Sequence, residues 1–178
     1  MGRTVGKGAA EGKALLPVRV EGYRRLFNFA PPHYTPSRTI RQEPLERAAA
    51  NVEKAEGFSF NGLAFEADPE EMEALDRREG CYDRVVVPLW HFGSDGSAGE
   101  GAIYVCPPDA EWIERDLSLL LPHWRDVLYA RVGAYRVGEA FGREYDRSTY
   151  MADGETLVAD FYAEHLEGLS RLAPPWTG

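Results

Sequence analysis

In this chain the segments with strand periodicity precede most of those with helix periodicity, and that order restricts the fold more than any other feature. Leu16, Val18 and Val20 alternate with Pro17 and Arg19, the period of a half-buried strand, over a segment running from Leu15 to Phe29. Residues 58–67, which contain Phe58, Phe60, Leu63 and Phe65, read as a second strand. Tyr82 to Trp90 carries the β-branched run Val85-Val86-Val87, and Ala102 to Cys106 is short and apolar. The Gly-rich residues 93–101 between them read as a flexible turn, so 82–106 is predicted to be a hairpin. From Pro108 onward the pattern is helical, with candidate helices over Ala110–Leu120, Trp124–Tyr145 and Glu155–Leu166. Strands first, helices last and hairpin connections point to an α+β fold with an antiparallel or mixed sheet.

One helix interrupts the strands. Asp68-Pro69-Glu70-Glu71 is a start signal, with Asp68 as N-cap, Pro69 at the first helical position and acids in the first turn. Met72 and Leu75 face inward in that helix, and Gly80 is the expected left-handed stop. Residues 43–56 have a thin apolar face and read as a loop with a helical turn. Residues 1–13 are Gly-rich and read as a mobile arm. One domain is expected over 14–107 and 108–170, the second stretch being helical, followed by a tail over 171–178.

The 178 residues are 44% hydrophobic and 28% charged, as in a globular protein. The net charge of −9 argues against general nucleic-acid binding, which depends on neutralising phosphates. Residues 1–25 carry six Lys/Arg and two Asp/Glu, a basic start able to meet a phosphate. The plainer reading puts Arg19, Arg24 and Arg25 on the solvent face of a strand. No apolar run approaches the roughly 18 residues of a membrane helix, and there is no signal-peptide core. Cys81 and Cys106 make no disulfide framework and read as two reduced thiols of a cytoplasmic protein.

The segment from Phe60 to Pro88 resembles the central block of γ-glutamylcyclotransferase-like proteins. That block is an Asn-Gly strand, here Asn61-Gly62-Leu63-Ala64-Phe65, then a short helix ending Leu75-Asp76-Arg77-Arg78-Glu79, then Tyr82-Asp83-Arg84-Val85. Upstream, Leu16 to Arg25 followed by Phe27 and Asn28 looks like the second strand of the family. Downstream, Gly133-Ala134, Gly138, Phe141 and Ser148-Thr149-Tyr150 are similar to the helical C-terminal extension of some bacterial members. The resemblance covers most of residues 15–165. It implies a small mixed β-barrel with flanking helices and a pocket at one end. It also implies a catalytic carboxylate at Glu79 and a pocket-lining Tyr82. Family members open with a strand and a loop Tyr-Gly-Ser-Asn or Tyr-Gly-Ser-Leu, a run that does not occur in this sequence. Met1 falls about where the family has passed that loop, which leaves a start further upstream, a shortened chain or a lost loop as readings. A barrel without its first strand has an open edge, where a partner chain, as in a homodimer, is expected to add.

The implied reaction is ring closure. The α-amine of a γ-glutamyl amino acid, peptide or amine attacks its own γ-carbonyl, and 5-oxoproline forms as the leaving amine departs. No cofactor or metal is implied. One carboxylate can take the proton of the ammonium and return it to the leaving nitrogen. An ordinary Glu near ~4.3 and an α-amine near ~7.8 make that transfer uphill by roughly 5 kcal/mol. Glu79 is therefore expected to be buried or flanked by groups that raise its basicity, the helix C-terminus and Asp76 being the two on offer. Arg77 and Arg78 are expected to point to solvent. The alternative reading is a non-catalytic module of the same fold that binds a small carboxylate ligand or a protein.

Trp124, Tyr129, Val132 and Tyr135 repeat at helical spacing, ordinarily a core face; Trp124 and Tyr129 are also candidates for a wall of the pocket. Gly2 to Gly8 imitates a phosphate-binding loop but is one residue short and ends in Gly. The four histidines, His33, His91, His123 and His165, have no metal-ligand spacing. Cys81 with His91 is a weak nucleophile–base pair, and Ser94 and Ser97 lack the strand–turn–helix frame of a nucleophile elbow.

Overall fold

A computed structural model describes residues 12–30 and 45–164, the side chains of residues 45 and 46 apart. The organising element is β1 (Leu16–Phe29), a 14-residue strand with partners on both edges. Along one edge runs β3 (Ala49–Ala64), antiparallel from Leu16 opposite Ala64 to Phe29 opposite Ala49. The ladder shifts register between Glu21 and Tyr23, where Gly22 (φ 77°) faces a bulge containing Gly57 (φ 82°). Both angles lie in the left-handed region that glycine enters without steric cost. Along the other edge, β4 (Asp83–His91) pairs antiparallel at Val18 and Arg19, and β7 (Thr149–Met151) pairs parallel at Arg25 to Phe27. β5 (Ser97–Val105) completes the hairpin with β4. Two short strands, β2 (Leu45–Glu46) and β6 (Leu120–Leu121), pair parallel in a separate two-stranded sheet.

The fold is α+β, with a five-stranded, mostly antiparallel sheet and flanking helices. The barrel suggested by the resemblance is not closed: the strand order β3-β1-β4-β5 leaves no ladder between β3 and β5. The seam is bridged at one point by a side chain, Asn51, whose Oδ1 accepts the N–H of Cys106 at 3.0 Å.

The strand signals at Leu15–Phe29 and Tyr82–Trp90 correspond to β1, which starts one residue later, and β4, which is displaced by one residue at both ends. Residues 49–56 are strand, not the loop with a helical turn, because Ala49 to Lys54 pair with Tyr23 to Phe29. The second strand of the hairpin starts at Ser97, well before Ala102. Ala110–Leu120 is not helical. Its backbone is captured by the end of β1, with Ala30 N–H on Trp112 O and Glu114 N–H on Asn28 O. The Trp124–Tyr145 helix is two helices, α2 (Trp124–Val137) and α3 (Glu139–Arg147), broken at Gly138 (φ 156°). Residues 158–161 form α4 (Val158–Phe161); the expected helix end beyond 164, the arm over 1–11 and the tail over 171–178 lie outside the described residues. Lys13, placed in the arm by its composition, is tied to Glu71 by an ion pair and to Glu66 O.

Three apolar clusters result. Val18, Val20, Phe60, Val87 and Leu89 pack within the curved sheet. Phe27, Leu120, Val127, Met151, Val158 and Tyr162 join the far part of β1 to the helices. Ala134, Phe141 and Tyr145 hold α2 to α3, with Phe92 against them. The Tyr135 ring lies so close to Gly142 that an added Cβ would come within 2.4 Å of it.

Of the three arginines read as a solvent face, Arg19 does pair at the surface with the exposed Glu21 and Asp95, but Arg24 and Arg25 do not face solvent. Arg24 donates to Glu53 at 2.6 Å and to Gly154 O at 2.9 Å. Arg25 is enclosed: it donates to Thr149 Oγ1, Asn61 O, Asn61 Oδ1 and Ser148 Oγ, and its guanidinium lies 4.2 Å from the Tyr145 ring centroid. The sequence pattern missed both because their partners are far away in the chain.

Glu53, 8% exposed, receives Arg115 as well as Arg24. Burial alone would raise this carboxyl, but the hydrogen bonds and charges of Arg115 and Arg24 outweigh it and hold the group below its ordinary value. A depressed carboxyl stabilises the fold fully above its unfolded value, and that contribution is lost as pH falls through the folded value. Glu53→Gln is expected to destabilise by about 2–3 kcal/mol at neutral pH, toward the low end for a broken buried pair because Arg115 is partly exposed. In urea denaturation the gap between parent and variant should begin to narrow below about pH 4 and close as pH falls through the lower folded value.

Candidate functional site

The helix α1 (Pro69–Arg78) carries Glu79 to the open end of the sheet. Its start is fixed as the sequence suggests: Asp68 Oδ1 accepts Glu71 N–H at 2.9 Å, and Glu71 Oε2 accepts Asp68 N–H at 2.8 Å, a reciprocal capping box. Its end is fixed differently. Glu79, not Gly80, is the C-cap; its N–H reaches Leu75 O at 2.9 Å, and Gly80 is not among the glycines with positive φ. Tyr82 N–H then returns to Glu79 O at 2.8 Å. This one-turn closure places Glu79 and Tyr82 together between α1 and the start of β4.

The Glu79 side chain is 18% exposed, and Arg78 Nε donates to its Oε1 at 2.7 Å. Arg78 therefore folds onto the carboxylate rather than pointing to solvent. Arg77 is exposed and pairs with Glu73 one turn back. Asp76 has other partners: Tyr104 O–H donates to it at 2.8 Å, and Arg84 stands 3.2 Å away. Burial, followed by the bond to Asp76, pushes the Tyr104 hydroxyl up to about 12.

Tyr82 is half-buried. Its hydroxyl donates to Ala50 O at 3.3 Å, and its ring lies 4.8 Å from that of Phe29, centroid to centroid. Burial first, then the nearby Cys106, Glu79 and Cys81, drives its titration far above the ordinary phenol range. The phenol thus keeps its proton throughout the neutral range.

Trp124 and Tyr129 stand elsewhere on α2. Trp124 packs against the Phe27–Leu120 cluster and stacks on His123, and Tyr129 is 63% exposed. His123 caps α2 by accepting Arg125 N–H. Among the described residues no group of three or more His, Cys, Asp or Glu could hold a metal, and no helix is long and apolar enough to cross a membrane. The imitation of a phosphate loop, His33 and His165 lie outside the described residues. A shallow depression of about 310 Å³ at the β1–β3 bulge is lined by Glu21, Gly22, Gly57, Phe58 and Ser59, none of them a member of the Glu79 group.

Sequence reading missed the support behind Tyr82. Asn51 is 2% exposed, and its Oδ1 accepts both Val52 N–H and Cys106 N–H. That double acceptance fixes the amide orientation, so its Nδ2 donates to Asn28 Oδ1 at 3.1 Å. Ala50, the acceptor for Tyr82, is the next residue along β3. A polar Asn51 directly after three alanines was the available signal.

No family model matches the chain, and no curated protein matches it. Among solved structures it is similar to an uncharacterised protein from Homo sapiens, with TM-score 0.41, 15% identity and 55% of each chain covered. It is similar also to a γ-glutamyl cyclotransferase, with TM-score 0.41, 14% identity and 55% of each chain covered. A protein of Arabidopsis thaliana gives TM-score 0.43 and 18% identity over 77% of this chain and 78% of that one. The chain thus spans about half the length of the first two.

Asn51→Ala leaves the buried Cys106 N–H without its acceptor. A loss of about 2–4 kcal/mol is expected from the unpaired group and the broken bridge to Asn28. Amide hydrogen exchange should accelerate at Cys106 more than at Val87 in the hairpin centre; equal acceleration at both would refute a local bridging role for Asn51.

Proposed function

We propose that this protein is a γ-glutamyl cyclotransferase in which Glu79 moves the proton during ring closure. The observation that carries the reading is the shared turn of Glu79 and Tyr82: a mostly buried carboxylate and a neutral phenol side by side at the open end of a curved sheet. The family resemblance of residues 60–88 supplies the substrate class.

In this reading the γ-glutamyl group enters folded, with its α-nitrogen over its own γ-carbonyl. Both reacting atoms belong to one molecule, so holding one rotamer supplies much of the orientation advantage. Glu79 accepts a proton from the α-ammonium, the freed amine closes the five-membered lactam, and the same carboxyl returns the proton to the departing nitrogen. Tyr82, still protonated, turns its O–H from Ala50 O to the carbonyl oxygen as charge develops there. For this to happen Arg78 must yield the Glu79 oxygen it now occupies.

That contact favours a second reading. A Glu79 that keeps Arg78 forms a fixed ion pair suited to recognising a small zwitterionic or carboxylate ligand without turnover. Incubation with a panel of γ-glutamyl amino acids, peptides and amines, with chromatographic detection of 5-oxoproline, separates the two. Glu79→Gln is expected to abolish 5-oxoproline release with the melting temperature nearly unchanged. A variant that turns over at the parental rate removes Glu79 from the mechanism. Parental protein that binds the panel but releases no 5-oxoproline establishes the second reading.

A further inference from the structure

The contact between Arg78 and Glu79 is unusual for neighbours in sequence, since consecutive residues on a helix do not face each other. Here Glu79 has left the helix. It is the C-cap, with φ −93° and ψ 28°, and its carboxylate comes within 2.7 Å of Arg78 Nε. Among the described residues the two terminal nitrogens of Arg78 make no hydrogen bond, and the side chain is 45% exposed. The other arginines at this end of α1 are engaged elsewhere, Arg77 with Glu73 and Arg84 with Asp76. Arg78 thus stands at the Glu79 carboxylate with donors in reserve, and a guanidinium fork matches a carboxylate in shape and charge. A partly exposed ion pair contributes little to stability, so exchange of one carboxylate for another is nearly neutral. A γ-glutamyl group carries its α-ammonium and its α-carboxylate on one carbon. When the ammonium lies at Glu79, the carboxylate is within reach of the residue beside it.

We propose that Arg78 binds the α-carboxylate of the γ-glutamyl group, and that in turning to it the guanidinium leaves Glu79 Oε1 free for the α-ammonium. The inference rests on the ring-closing reading of Glu79 and adds what selects the substrate. Two ion pairs form where one stood: Arg78 with the α-carboxylate and Glu79 with the α-ammonium. No covalent bond is made or broken in this exchange. Both charges of the glutamyl zwitterion are recognised together. A γ-glutamyl group whose α-carboxylate is capped as an amide gives Arg78 nothing to turn to, and Glu79 stays occupied. The leaving amine takes no part in the exchange, so the pair reads the glutamyl end of the substrate whatever amine departs.

The test uses γ-glutamyl ethylamide and its counterpart in which the α-carboxylate is a carboxamide. Each is given to the full chain, to Arg78→Gln and to Arg78→Lys, with binding read by calorimetry and turnover by release of ethylamine. Arg78→Gln is expected to weaken binding of γ-glutamyl ethylamide and raise its KM about 10- to 100-fold, as for a lost hydrogen bond between charged groups. Its kcat should be nearly unchanged, the signature of a contact made equally in the ground and transition states. Arg78→Lys should recover part of the loss, because it keeps the charge without the fork. The parental protein should prefer the carboxylate to the carboxamide, and Arg78→Gln should not. That comparison cancels any effect of the carboxamide on the amine, and it would not move if Arg78 only supported the turn. An unchanged preference in Arg78→Gln, or an unchanged KM, overturns the proposal. Parental protein that binds γ-glutamyl ethylamide through Arg78 but releases no ethylamine upholds the carboxylate site and overturns ring closure alone. Parental protein that binds neither compound overturns both.

Discussion

The enclosed guanidinium of Arg25 ties β3 and the α3–β7 junction together through side-chain bonds, beyond the ladders that pair each of β3 and β7 with β1. Its neutral acceptors come from β3 (Asn61) and from the α3–β7 junction (Ser148 and Thr149). Burial lowers its titration, offset in part by Tyr145 and Glu144, and the Tyr145 face adds attraction. Thr149 Oγ1 in turn donates to Tyr145 O. A cation placed this deep needs its hydrogen bonds, and making them fixes where α3 ends, where β7 begins and how both lie on β1. Asn61 finishes the arrangement by donating to Phe141 O. Arg25 thus adds a polar tie to the apolar cluster around Phe27, Met151 and Val127 that already packs the sheet on the C-terminal helices.

Local signals disclosed those parts of the fold that local energetics decide. The capping box of Asp68 and Glu71 with Pro69 satisfies the helix start within four residues, so it is legible in four residues. The alternation of Val18 and Val20 reports a surface with one buried face. Ala48 to Ala50 tell the opposite story. Alanine is the best helix former, yet here it lies in or beside a strand because β1 offers an unpaired edge. The helical composition of Ala110 to Leu120 is overridden in the same way by bonds to Asn28 and Ala30.

The candidate site divides along the same line. Glu79 and Tyr82 enter through the resemblance of residues 60–88, and their sharing one turn is a local matter, since they stand three positions apart. Asn51 was not legible, since its partners Asn28 and Cys106 are 23 and 55 positions away, one in β1 and the other just past the end of β5. The turn of Arg78 onto Glu79 was also hidden, because a long side chain at a helix end chooses among partners only once the tertiary surroundings exist. Trp124 and Tyr129 show the limit of spacing: a helical period puts residues on a face without saying what that face meets.

The seam between β3 and β5 has a mechanical consequence. A ladder weakens rung by rung, so its opening is graded along its length. Here isolated contacts cross the seam instead: Asn51 Oδ1 with Cys106 N–H, Tyr82 O–H with Ala50 O, and Phe60 in one cluster with Val87 and Leu89. The ladder of β4 with β1 is short, at Val18 and Arg19, so these contacts share the task of holding the β4–β5 hairpin. The Glu79–Tyr82 turn stands on one side of the seam and Ala50 on the other. Local opening at this end of the sheet therefore begins with side-chain contacts and not with ladder bonds, as expected of the less stable parts of a fold.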